Sequence, residues 1–150
     1  MANAQDLQFL DQAANSGTTD IIEARLAIAL SPTFAVVQFA QQDVVDHTSL
    51  DNQLTGIAQA EGLPVPAAFT SPAVQSAIAT ELNLFGPASD PEYLLDVIRG
   101  HQQDLSSYQQ EVALGQDPQL RSFAQAALPT LEGHLGAAIT LLNFGNSGLL

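Results

Sequence analysis

The chain has 150 residues, no cysteine, three arginines, no lysine and 16 acidic residues, for a net charge of −13. That length suits one domain, able to bury about 70% of the surface its unfolded chain exposes. The absence of cysteine excludes disulfides, thiolate metal sites, iron–sulfur clusters and cysteine nucleophiles. An acidic surface repels phosphate backbones and anionic lipid headgroups and attracts cations, so neither nucleic acid nor a membrane surface is expected as a partner.

The first predicted helix runs from about Gln5 to Leu30. Leu7, Leu10, Ala14, Gly17, Ile21, Ala24 and Ile28 recur at three- and four-residue steps along it. Ser31-Pro32 ends it, because proline pushes the residue before it out of the α region. The second, about Thr33 to Glu61, carries Val37, Ala40, Val44, His47, Leu54 and Ala58 on one line, with Gly62 as its C-terminal cap. Residues 63–90 are punctuated by Pro64, Pro66, Pro72 and Pro87. They read as a long connection with one small helix, marked by Val74, Ile78, Leu82 and Phe85 between Pro72 and Gly86.

The third long helix spans about Pro91 to Leu114, capped by Asp90 and lined by Leu94, Val97, His101, Leu105, Tyr108 and Val112. The fourth starts at Asp117-Pro118 and carries Leu120, Phe123, Ala127, Leu131, His134, Ala138 and Leu141, with a kink expected at Pro129. The tail from Gly145 to Leu150 is expected to fray. The pattern predicts an all-α four-helix bundle in a single domain over residues 1–150, with its core at about 5–143. No stretch reaches the roughly 20 apolar residues of a membrane span. The N-terminus has no signal-peptide pattern, so the chain is expected to be cytoplasmic if complete, and periplasmic or secreted if a leader was removed.

Phosphate-binding loops, dinucleotide fingerprints, His-Glu-x-x-His and the nucleophile elbow are all missing. What remains is three histidines, one on each of the second, third and fourth long helices, all on or beside the apolar line: His47, His101 and His134. If the helices simply alternate in direction, the three share a level to within about one turn, beside Asn15 or Ser16. If the long connection instead crosses the bundle and returns, His101 and His134 lie about 10 residues from the top, level with Asp20 and with Asp43, one turn from His47. Imidazole with carboxylate suits a transition metal such as zinc, iron or copper. The predicted metal ligands are therefore His47, His101, His134, Asp20 and Asp43.

Glu-x-x-His pairs of di-iron proteins are absent, since Val44, Ile98 and Leu131 occupy the positions three before the histidines. This favours binding, storage or stress protection over turnover, and no catalytic residue is assigned. The competing reading is a metal-free structural or stress-response envelope protein whose histidines each satisfy a core-edge hydrogen bond. Asp6, Asp11, Asp51, Glu61, Asp96, Asp104, Glu111 and Glu132 read as solvated faces or caps, and Asp46 as a boundary residue. Phe9, Phe39, Phe123, Tyr93 and Tyr108 read as core or core-edge aromatics.

The run Phe39-Ala40-Gln41-Gln42-Asp43-Val44-Val45-Asp46-His47-Thr48 resembles a segment of the bacterial ferritin-like family catalogued as domain of unknown function 4142. Ala13-Ala14 with Gly17 and Asp20-Ile21, Tyr93 with His101, the block Gly115 to Ala124, Leu128-Pro129-Thr130-Leu131 and His134-Leu135 are similar to the rest of it. The resemblance implies a ferritin-like bundle and no settled activity. Gly100 stands where that family usually has an aspartate before the histidine. That family usually carries a secretion signal or lipoprotein leader, so the resemblance implies a periplasmic or outer-membrane setting if a leader was removed.

Overall fold

A computed structural model describes residues 1–85 and 89–146. The helices are α1 (Ala4–Leu30), α2 (Phe34–Ala60), α3 (Ala67–Thr70), α4 (Pro72–Phe85), α5 (Asp90–Leu114) and α6 (Pro118–Asn146). There is no strand among the described residues, and no helix there is long and apolar enough to cross a membrane. Gly86 and Pro87 of the predicted connection and residues 147–150 of the predicted frayed tail lie outside the described residues.

Local chemistry explains the helix ends. Asn3 and Asp6 form a capping box: the Asp6 N–H donates to Asn3 Oδ1 at 2.9 Å and the Asn3 N–H to Asp6 Oδ2 at 2.5 Å. At α5 the cap is Ser89, one residue before the expected Asp90, which becomes the first helical residue ahead of Pro91. Asp117 caps α6 as expected, accepting from the N–H groups of Gln119 and Leu120 at 3.0 Å each. Gly62 closes α2 at φ +66°, where a Cβ would be strained, and the Leu63 N–H reaches back to the Ala58 carbonyl at 2.8 Å. Helix α6 continues through Pro129, which sits on its exposed side.

Helix α1 pairs with α2 and α5 with α6; α1 also lies beside α5, and α2 beside α6. Contacts between α1 and α5 fix their directions. Asn3 reaches Leu114, Gln12 reaches Ser107 and Ser16 reaches Asp104, so the two helices are antiparallel. Since α1 and α2 are joined by a tight turn, α2 and α5 run the same way. The connection between them crosses the length of the bundle, as in ferritin-like folds. It carries two helices rather than the one expected: α3 and α4, both packed against α1.

The core divides into two apolar layers. One gathers Phe9, Leu10, Leu54, Tyr108, Leu120, Phe123 and Leu131; the other gathers Ala24, Val36, Ala40, Tyr93, Leu94, Val97 and Ala138. Phe9 and Tyr108 meet edge to face in the first, with centroids 4.8 Å apart. The polar residues 20, 43, 47, 101 and 134 fall in the chain intervals between these layers.

Two expectations about α1 and the acidic residues are corrected. Leu7 is 42% exposed, while Asp6, Phe9, Ala13 and Asp20 are buried. Leu10, Ala14, Gly17 and Ala24 of the predicted line are buried as expected, and the buried face widens to take in the Asp6, Asp20 and Glu23 carboxyls. Asp104 and Glu111, expected to be solvated, are buried, and Asp51 is half-buried with its carboxyl over Gly17. Asp6 is more than a cap: it is fully buried and also accepts from the Gln116 and Asp117 N–H groups, tying the start of α1 to the α5–α6 turn.

Candidate metal centre

The crossing connection brings the predicted residues to one level. Counted along their helices, Asp20, Asp43, His47, His101 and His134 each lie roughly ten residues from the same end of the bundle. The simple alternating arrangement, with Asn15 or Ser16 beside the histidines, does not occur; Ser16 donates to Asp104 at 2.7 Å instead.

Asp43, His47, His101 and His134 are all buried and each directs one ligand atom into a common space, the four atoms lying within 4.8 Å of one another. His47 Nε2 and His101 Nε2 are 3.3 Å apart, and His101 Nε2 and His134 Nδ1 are 3.2 Å apart. Asp43 Oδ1 lies 3.0 Å from His134 Nδ1, 3.5 Å from His47 Nε2 and 4.0 Å from His101 Nε2. The three rings form a nearly equilateral triangle, with centroids 5.3, 5.4 and 5.3 Å apart. Asp20 stands at the edge, its Oδ2 3.6 Å from His47 Nε2.

Outer hydrogen bonds select the tautomers. His101 Nδ1 is 3.0 Å from the Val97 carbonyl, which can only accept, so the proton sits on Nδ1 and the Nε2 lone pair faces inward. His134 Nε2 is 2.9 Å from Asp46 Oδ2, which places its proton there and turns the Nδ1 lone pair inward. Sequence reasoning left Asp46 at the boundary and missed this role. Its position directly before His47 concealed it, because the partner is on α6 and not on its own helix.

In the neutral state two lone pairs therefore confront each other at 3.2 Å, an arrangement that calls for a proton or a metal ion between them. Neither oxygen of Asp43 has a hydrogen-bond partner, the 3.0 Å approach of His134 included, and Asp20 Oδ2 has none either. Buried carboxylate oxygens without donors are costly.

Burial holds the His47 imidazole down at about 4, against an opposing pull from Asp43 and with help from the other two histidines. His101 is also lowered by burial, with Asp43 opposing. His134 feels the same desolvation, but Asp43 and Asp46 outweigh it and raise it overall. Burial first, then repulsion from Asp104, Asp43 and Glu23, pushes the Asp20 carboxyl well above its ordinary range. The Tyr93 hydroxyl is buried without a partner and raised by burial and then by Asp43.

The protein-family model described as domain of unknown function (DUF4142) matches residues 1–141. A crystal structure of a DUF305 fragment from Deinococcus radiodurans is similar in fold at 16% identity, with a TM-score of 0.73 over 95% of this chain and 97% of that one. At that identity the likeness concerns the fold alone. No curated protein matches the sequence significantly.

Proposed function

This chain belongs to the family of the domain of unknown function DUF4142, and for it we propose transition-metal binding by Asp43, His47, His101 and His134, with Asp20 as the neighbouring carboxylate. The spacing of the inward atoms carries the reading. A tetrahedral ion with bonds of about 2.0–2.1 Å needs its ligand atoms about 3.3–3.4 Å apart. The separations of 3.3 and 3.2 Å between histidine nitrogens, and of 3.5 and 3.0 Å from Asp43 Oδ1 to His47 and His134, bracket that value. The longer 4.0 Å from Asp43 Oδ1 to His101, and the remaining His47–His134 pair, which is bounded only by 4.8 Å, call for the side chains to close in around the ion.

An ion at the centre would take the inward nitrogens of all three imidazoles and give Asp43 the partner it lacks. The lowered pKa of His47 and His101 suits the task, because a protonated ring cannot ligate, while at His134 an ion would have to displace the proton that Asp43 and Asp46 favour. Three histidines and one carboxylate fit zinc, copper or iron; four protein ligands would close a tetrahedral zinc ion, and the Glu-x-x-His pairs of di-iron proteins are absent. The role is therefore binding, storage or stress protection, with residues 1–150 acting as one unit.

A second reading has its own observation. His134 lies between Asp43 and Asp46 and is raised by them. A shared proton could hold a metal-free structural cluster in place of the ion. Elemental analysis of tag-free protein, followed by zinc, copper and iron titrations of the metal-stripped form, separates the two. Close to one ion per chain supports the metal centre. Absence of tight binding for all three metals leaves the proton-linked cluster.

A further inference from the structure

The centre is buried, so an ion must reach it through the bundle wall. Between α1 and α5 lies an open cleft of about 790 Å³ with Asp11, Asp20, Glu23, Asp96 and Asp104 on its walls, no basic side chain, and otherwise neutral polar groups or glycine. Asp20 belongs to both places. It lines the cleft, is only 5% exposed, and its unpartnered Oδ2 stands 3.6 Å from His47 Nε2. An unpartnered buried carboxylate at the inner end of an acidic cleft is a position that a passing cation would stabilise.

Gly100 faces Asp20 across the cleft. A Cβ built there would have Asp20 Oδ1 as its nearest neighbour, at 3.8 Å, so the glycine leaves the approach to Asp20 open and a longer side chain would extend into it. The opposite wall, between α2 and α6, offers a depression of about 170 Å³ with a single carboxylate, Asp46, already engaged by His134.

We infer that the α1–α5 cleft is the route by which a hydrated divalent cation reaches the centre. Its carboxylates concentrate the ion, and Asp20 passes it to His47 as its waters are exchanged for imidazole nitrogens. This inference rests on the metal-binding reading and adds to it the path and the residues that control the rate.

The test uses cobalt(II) alone, mixed rapidly with metal-free full-length protein and followed by its visible ligand-field absorption. Wild type is compared with two variants. Glu23→Gln/Asp104→Asn removes charge from the walls, while the new amide oxygen at position 104 can still accept from Ser16. Gly100→Leu extends a side chain toward Asp20 and adds helix propensity. Uptake is expected to slow about tenfold or more in both variants, within the usual range of electrostatic steering. The equilibrium Kd should stay within about threefold, and the charge-depleted variant should show a weaker salt dependence of the uptake rate than wild type. Normal cobalt binding with unaltered uptake rates in both variants overturns the route and leaves the centre standing. A Kd that worsens in step with the rate also overturns it, by making the carboxylates ligands. Absence of a cobalt spectrum in wild type overturns the centre and the route together.

Discussion

Replacing His101 by alanine tests the centre most directly. His101 is fully buried, holds its tautomer through Val97, and places Nε2 3.3 and 3.2 Å from its two partner nitrogens. Closed four-ligand zinc sites bind with about 10–16 kcal/mol, so one ligand of four is worth about 3–4 kcal/mol, or a loss of about 10²–10³-fold in affinity. Binding also stabilises the fold. At free metal 1,000-fold above Kd the gain is about 4 kcal/mol. In a domain of 150 residues that raises Tm by about 8–16 °C, at about 2–4 °C per kcal/mol. At the same metal concentration His101→Ala should show a rise of only about 1–6 °C. The metal-free Tm of the variant will shift as well, because the substitution opens a cavity, so the readout is the difference with and without zinc within each protein. Calorimetric titration supplies the affinities. A zinc-dependent rise of equal size in wild type and variant, or none in wild type, would refute the assignment.

Asp46→Ala should weaken zinc binding about 10–100-fold without removing a ligand, because His134 loses the acceptor that fixes its tautomer; calorimetry on the variant checks it, and an unchanged Kd would make Asp46 incidental. In the metal-free protein the buried carboxyls should favour folding at pH 5 over pH 8, while the lowered His47 and His101 imidazoles pull the other way. Burial raises the Asp51 and Glu111 carboxyls to about 7, so the folded state keeps protons that the unfolded chain releases near its ordinary carboxyl range. Their contribution is full below the unfolded value and is lost as pH rises to about 7. For half-buried Asp51 the unscreened effect of about 4 kcal/mol falls to about 1–2 kcal/mol after solvent screening. On going from pH 5 to pH 8 wild type should lose more stability, read from urea midpoints, than Asp51→Asn/Glu111→Gln; an equal pH dependence in the two proteins contradicts the assignment. Gly56→Ala, with open space around its Cβ on an exposed part of α2, should stabilise by about 0.5–1 kcal/mol. Gly115→Ala should destabilise by about 1–3 kcal/mol, since its Cβ would come 2.7 Å from the Glu111 carbonyl oxygen and overlap the Glu111 carboxyl. Thermal melts that order these two variants the other way would show that the turn can relax.

The four long helices were legible in the sequence alone, because helical period, proline and capping residues act within a few positions of one another. Ser31-Pro32, Gly62, Gly115 and Asp117-Pro118 mark boundaries that the structure reproduces to within a residue or two. The same period placed His47, His101 and His134 on inward lines, and family membership could be read from the Phe39–Thr48 run and the Gly115–Ala124 block. Packing between helices supplied what no local spacing contains. Whether α5 runs with or against α2 depends on the path of the 61–89 connection, and that direction sets which carboxylates share the histidine level. It selected Asp43 as the inward carboxylate, left Asp20 between the centre and the cleft, and gave Asp46 a partner on α6, 88 residues away in sequence. It also buried Asp104 and Glu111, which hydropathy assigns to water. A carboxyl group is buried or exposed according to what packs over it, and that neighbour comes from another helix.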